Sequence, residues 1–277
     1  MQTFMNWMLL NLALADLSAS IFSITVDVTQ EIHKKWVFGK LLCPLLFPLR
    51  SVTIFTSIFT LVCLSISRYW AIIHPFRRQP SVKMAKMLIC CTWFFSFILA
   101  LPYMLHLRFH EEDKQCYETW SAGTRQLYTV LTSVFTYVIP VVVITTAYAQ
   151  IVDETTSITT RKASVGATLV SANKDRRREN QKLIKLSMII SGTFTMCVLP
   201  YQVVWLLYEF SESFACFKYL SDTIMSTTLL LYLGSALNPI TYNIFSESFR
   251  TAFWELLARL NGSPQHKVTS QTYTCET

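Results

Sequence analysis

Leu41 to Ile73 reads LLCPLLFPLRSVTIFTSIFTLVCLSISRYWAII, and its only charges are Arg50 and Arg68. Crossing a ~30 Å hydrocarbon core takes about 20 residues at ~1.5 Å each. The stretch is long enough to span as a helix. A spanning strand would be only ~9–11 residues of alternating polarity, and no such alternation is visible. Five further stretches share this character: Phe4 to Val28, Met84 to Leu105, Leu127 to Ile151, Leu183 to Phe210 and Tyr219 to Phe245. Several admit Ser, Thr and single charges, as helices lining a polar bundle interior do. The reading is an all-α membrane protein with six spans visible.

Composition agrees. Apolar residues make up 52% and charged residues 15% of the chain, whereas soluble domains carry about 25% charged. The mean hydropathy is +0.37. The first apolar run is too long for a signal peptide and lacks both a basic leader and a cleavage site.

The net charge of +7 divides unevenly between the two sides. Arg68 to Lys86, the loop before Leu183 with its flanks, and the tail together hold 16 basic and 7 acidic residues. The opposite loops hold 7 basic and 9 acidic. By the positive-inside rule the first group is cytoplasmic, which gives a multi-pass protein with a cytoplasmic C-terminus. The basic run Arg176–Arg178 then fixes topology, and no nucleic-acid partner is read from it.

Cys43 and Arg68 lie ~37 Å apart along a helix, at opposite faces of the membrane. Cys43 therefore falls on the outer, oxidising side, where disulfides persist. Cys116, in the polar segment Arg108 to Arg125, is its natural partner; the other reading is two free surface thiols. Cys63, Cys90, Cys91 and Cys197 sit within spans as small core residues, and Cys216 lies outside with no partner left.

The motifs make the reading specific. Asn11-Leu12-Ala13-Leu14-Ala15-Asp16, Trp36-Val37-Phe38-Gly39 before Cys43, and Ser67-Arg68-Tyr69 with His74-Pro75 come first. Trp93, Pro140 with Tyr148, Pro200 and Asn238-Pro239-Ile240-Thr241-Tyr242 follow in order. Together they resemble helices two to seven of the rhodopsin-like G-protein-coupled receptors. Phe249-Arg250 opens a stretch to about Asn261 that resembles the family's amphipathic eighth helix at the cytoplasmic surface. The resemblance implies a rhodopsin-like helix bundle, with residues 1–261 as receptor domain and 262–277 as cytoplasmic tail. It further implies a plasma-membrane receptor with an extracellular ligand, and partnership with a heterotrimeric G protein, arrestin and membrane lipids.

The family places a sodium ion on the residue matching Asp16, with Ser57, Ser235 and Asn238 at the helper positions; no cofactor is otherwise required. A charge at mid-membrane costs at least ~2.5 kcal/mol, so Asp16 is a functional candidate by default, the alternative being a capped polar residue packed among waters. Pro140, Pro200 and Pro239 each remove a backbone bond and bend their helix. With Arg68, Tyr69, Tyr148, Phe194, Asn238 and Tyr242 they form the expected switch and G-protein-coupling set.

Three features depart from the family. Seven spans are usual and six are visible, beginning in the loop before the second helix. The first helix is therefore expected to be missing, and a truncated receptor that does not signal is the alternative function. Ser67 stands where an acid usually restrains Arg68, and Asn180, beside Glu179, where a second acid helps. Val198 replaces a frequent tryptophan two residues before Pro200, leaving Phe194 to carry that packing change.

Arg50 lies five helical turns before Arg68 and ~10 Å below Cys43. Amine-binding members carry an aspartate there, so an arginine disfavours amines and favours carboxylates or carbonyls. It remains open whether Arg50 meets ligand or pairs internally with Asp27 or Glu209. By family position, Thr132, Tyr201, Gln202, Trp205, Tyr208, Thr228 and Tyr232 surround it, a cup suited to peptide backbone and aromatic side chains. Arg108 to Trp120 is expected to form a hairpin lid pinned by Cys116, with Glu111, Glu112 and Asp113 facing solvent. The pattern resembles receptors for short neuropeptides, of the neuropeptide Y, tachykinin or RFamide kind.

No enzyme is indicated. The chain has no HExxH pair and no phosphate-binding glycine loop. His33, His74, His106, His110 and His266 lack metal-ligand spacing. A six-span transporter or channel would need paired broken helices or a filter loop, and neither appears.

Overall fold

The structure, a computed structural model, describes residues 4–75, 77, 79–164, 171–245 and 250–251, with backbone alone at 157–164, 171–181, 183, 242–243 and 245. Among these residues the long helices are α1 (Phe4–His33), α2 (Gly39–Ile73) and α3 (Val82–His106). After a two-stranded hairpin come α4 (Ala122–Ser133), a π-helical turn (Val134–Val138) and α5 (Ile139–Ser164). Then follow α6 (Ser171–Phe210), the short α7 (Glu212–Ala215) and α8 (Leu220–Phe245). Hydrocarbon offers the backbone no hydrogen-bond partners, so an apolar run that enters it must close its own bonds as a helix.

Among the described residues, five helical segments are long and apolar enough to cross a membrane: Phe4–His33, Gly39–Ile73, Val82–His106, Ala122–Thr156 and Ile184–Phe210. The sixth expected span is the 26-residue α8. It has the length, but Ser, Thr and Asn along it dilute its apolar character. The expected amphipathic stretch from Phe249 to Asn261 and the tail lie outside the described residues, apart from Arg250 and Thr251.

Local chemistry sets several boundaries. The Ser81 and Ser121 hydroxyls accept from the Met84 and Thr124 amides and so start α3 and α4, satisfying amides that a helix leaves open. Before α2, Gly39 adopts φ +79, a left-handed conformation that costs a side-chain-free residue little. Its carbonyl accepts from the Trp36 indole at 2.7 Å. Trp36 is buried and stacks on Phe47 at 5.2 Å. The Trp-x-Phe-Gly motif is thus a plug that sets the start of α2.

Helix α2 is the central element, packing against α1, α3, α5 and α6. Its buried hydroxyls mostly bond back along their own helix. Ser57 donates to the Thr53 carbonyl, Thr60 to Thr56, Ser65 to Leu61 and Ser67 to Leu64. A hydroxyl so bonded enters the core without an unpaired donor. Between helices, Asn11 donates to Thr60 at 2.8 Å and accepts from Trp93 Nε1 at 2.9 Å. One amide therefore joins α1, α2 and α3.

The apolar core lies in the half away from the hairpin, where Met8, Leu12, Leu64, Ile151, Leu186 and Ile190 are buried together. A smaller cluster of Val26, Trp36, Cys43 and Leu107 sits beneath the hairpin. The outer half between them is open.

Asn11→Ala should lower the stability of the purified protein by about 1–2 kcal/mol, since intramembrane hydrogen bonds are worth about 0.6–1.7 kcal/mol each. Thermal melting in detergent checks this, and Trp93→Phe, which removes one bond, should cost less.

Candidate functional site

The hairpin pairs β1 (Leu107–His110) antiparallel with β2 (Gln115–Glu118). Glu111, Glu112 and Asp113 occupy its turn and are exposed. The Cys43–Cys116 disulfide fastens β2 to the outer end of α2, with the two Cα atoms 6.0 Å apart. Two further bonds hold it to the preceding loop. The Trp36 amide donates to the Lys114 carbonyl at 2.8 Å, and the Gln115 side chain to the Lys34 carbonyl at 2.7 Å. The expected lid is present, and the alternative of two free thiols at Cys43 and Cys116 falls. Cys216 is free and exposed.

Under the hairpin is a cavity of about 700 Å³, within the ~300–1,000 Å³ of small-ligand sites. Arg50, Thr132, Tyr201, Gln202, Trp205 and Tyr208 line it, as the sequence leads one to expect. Thr228 and Tyr232 are not in its wall. Thr228 is buried and donates to the Ile224 carbonyl, while Tyr232 donates to Asp27. Helix α8 contributes Leu220, Ser221, Ile224 and Leu231 instead.

The sequence reading missed part of the wall. Tyr103, Trp120 and Tyr128 line it as a stacked group, with Trp120 and Tyr128 centroids 4.8 Å apart and His106 stacked on Trp120 at 4.7 Å. The available signal was aromatic residues within a few positions of predicted outer helix ends. At the mouth, Arg125 pairs with Glu209 at 2.9 Å, their side chains 41% and 3% exposed. The Trp120 indole donates to Glu118 at 2.7 Å. Enclosure raises the Glu118 carboxyl above the usual carboxylate range, with the Trp120 N–H opposing the shift.

Deeper in the cavity, Gln202 is fixed by α4 and the π-helical turn, accepting from Ser133 at 2.9 Å and donating to Thr136 at 3.3 Å. Arg50 Nη1 lies 2.8 Å from Asp27 Oδ1, with the side chains 18% and 20% exposed, and Tyr232 holds the other Asp27 oxygen. The pairing left open in the sequence therefore forms with Asp27, while Arg50 still lines the cavity.

Below the cavity, Asp16 is 2% exposed. It accepts from Asn238 Nδ2 at 2.7 Å, and Ser57 lies beside the same carboxylate. Near the C-terminal end of α2, Arg68 Nε is buried with no hydrogen-bond partner among the described residues. Ser67, the residue before Arg68, gives its hydroxyl to the Leu64 carbonyl. Tyr148 is buried facing Arg68, its hydroxyl 3.4 Å from that of Ser65. Phe194 packs on the larger apolar core. Tyr69 makes edge contact with His74 at 6.1 Å. Pro200 and Pro239 lie inside α6 and α8. The side chains of Tyr242, Glu179 and Asn180 lie outside the described residues.

Residues 1–242 match the family described as 7 transmembrane receptor (rhodopsin family). The chain belongs to that family. Among its relatives, the substance-P receptor of Aquarana catesbeiana is 31% identical over 274 residues, covering 91% of this chain and 62% of that protein. The neuromedin-K receptor of Oryctolagus cuniculus is 27% identical, covering 91% and 54%, and the human substance-K receptor 29%, covering 91% and 64%. The chain spans between about half and two thirds of the length of these relatives. None of these relatives is an enzyme by its description.

Because Ser67, and not an acid, directly precedes Arg68, Ser67→Asp should supply a restraint on that guanidinium. If the chain couples to a G protein, ligand-free nucleotide exchange on that co-expressed protein should fall several-fold, and unchanged exchange would remove the argument.

Proposed function

We propose that this rhodopsin-family chain is a receptor for a short extracellular peptide, which it answers by activating a heterotrimeric G protein at the plasma membrane. The observation that carries the reading is the outer cavity: about 700 Å³, rich in aromatic and amide groups, beneath a disulfide-fastened hairpin. Aromatic faces suit hydrophobic peptide side chains, and fixed polar groups such as Gln202 suit peptide backbone. Relatives described as receptors for substance P, neuromedin K and substance K support the reading. Arg50 sits where an amine receptor would need an acid.

Signalling follows as a population shift, with ligand favouring one of two pre-existing arrangements of the helices. Pro200 and Pro239 supply the bends. Arg68 and Tyr148 border the cytoplasmic cleft into which a G-protein segment inserts, with arrestin and membrane lipids as further partners. The tail, 262–277, belongs to that side. Asp16, Ser57, Ser235 and Asn238 fit a sodium ion, because a buried carboxylate with hydroxyl and amide oxygens is a hard-ligand set. The ion would balance the Asp16 charge in the bundle.

Two measurements test this. Cells expressing the protein are screened with short peptides and biogenic amines for G-protein activation. A peptide response is expected, weakened at least about tenfold by Trp205→Ala, since buried aromatic anchors are worth about 2 kcal/mol or more; a response to amines alone would overturn the reading. For sodium, replacing choline chloride by sodium chloride should raise the melting temperature of the protein. Asp16→Asn should abolish that dependence.

A further inference from the structure

The charges around the cavity are unequally placed. Arg125 and Glu209 satisfy one another at the mouth, where Glu118 adds a carboxylate held by Trp120. The deep cation is Arg50, and behind it, outside the cavity wall, stands Asp27. Both Asp27 oxygens are engaged, one by Arg50 from α2 and the other by the Tyr232 hydroxyl from α8. The carboxylate is therefore fixed at two points and not free to swing away when something else approaches the guanidinium. Tyr201 reaches the same guanidinium from α6.

We propose that Asp27 is a charge-selecting residue: by neutralising Arg50 from behind, it restricts the deep end of the ligand to an uncharged carbonyl and excludes a carboxylate. The proposal rests on the reading of the cavity as a peptide site. A ligand carboxylate at Arg50 would put two anions on one cation in a site with little water, where like charges repel strongly. Displacing Asp27 instead would break two contacts and leave a partly buried carboxylate without its counter-ion. A neutral carbonyl accepts a charge-assisted bond from the guanidinium and adds no charge. The cavity wall carries Arg50 and Arg125 against Glu118 and Glu209, which cancel, and Asp27 tips the balance negative. Selection thus comes from a residue that does not line the cavity, through rejection of the wrong charge as much as attraction of the right group. This narrows the sequence-based expectation that Arg50 accepts carboxylates or carbonyls to carbonyls alone.

The test uses two probes that differ only in charge, N-acetyl-Phe-Tyr-amide and the matching free acid, titrated against the purified protein with thermal melting as readout. The unaltered protein should bind the amide at least about tenfold more tightly than the acid. Asp27→Asn, which leaves Arg50 unneutralised, should reverse the order. Asp27→Asn/Arg50→Gln, which removes both charges and leaves no unpaired ion, should bind the two alike, and it carries the test if the single variant does not fold. Preference for the acid in the unaltered protein, the same preference in all three, or no shift by either probe in any of them would overturn the proposal. A peptide response in the signalling screen would leave the receptor reading standing in each of those cases.

Discussion

Inside hydrocarbon every polar group must find its partner within the protein, and this constraint organises the bundle from the backbone outward. It makes the apolar runs helices, and it sends the hydroxyls of α2 back to carbonyls of their own helix. It also gives the few side chains that bond across helices unusual weight. Asn11 ties three helices with one amide. Asn238 holds Asp16 across α8 and α1, and Asp27 gathers Arg50 and Tyr232 from α2 and α8. Where the rule is broken, the exception is informative: the buried Arg68 Nε lacks a partner among the described residues, at the end of α2 away from the hairpin.

The same constraint divides the molecule into two halves. Away from the hairpin, buried apolar side chains from Phe4 to Ile190 pack together, and Arg68 lies beside Tyr148. Toward the outside, aromatic and amide groups surround a cavity whose roof is tied by a disulfide to the central helix. A ligand entering there meets residues from α2, α3, α4, α6 and α8 at once, so it can bias their relative positions. That is the physical content of coupling an outer site to an inner one.

Much of this was legible in the sequence, because the relevant signals are one-dimensional. Run length gave the spans, and the asymmetry of Lys and Arg gave a sidedness consistent with the Cys43–Cys116 bridge. Motif order placed Asp16 and Asn238 on facing helices. What was not legible depends on rotation and on small backbone irregularities. Thr228 and Tyr232 were placed in the cup by position alone, yet α8 is turned so that Ile224 and Leu231 face it. The π-helical turn at Val134–Val138 has no sequence signature, although it carries the Thr136 that bonds Gln202. Tyr103, Trp120 and Tyr128 converge from the end of α3, the hairpin exit and α4, which no linear pattern connects.

The way α6 is fastened has a mechanical consequence. Its outer part is held twice, at Gln202 by Ser133 and Thr136 and at Glu209 by Arg125. Pro200 follows directly on the side of the first anchor away from the hairpin. The helix then runs on to Ser171, an arm of ~44 Å at ~1.5 Å per residue. That arm is packed into the core at Leu186 and Ile190, so the proline sits between an anchored outer part and a packed inner one. A rotation of ~10° at the proline would carry the far end through ~8 Å, and the packing of Leu186 and Ile190 is what such a rotation would have to remake.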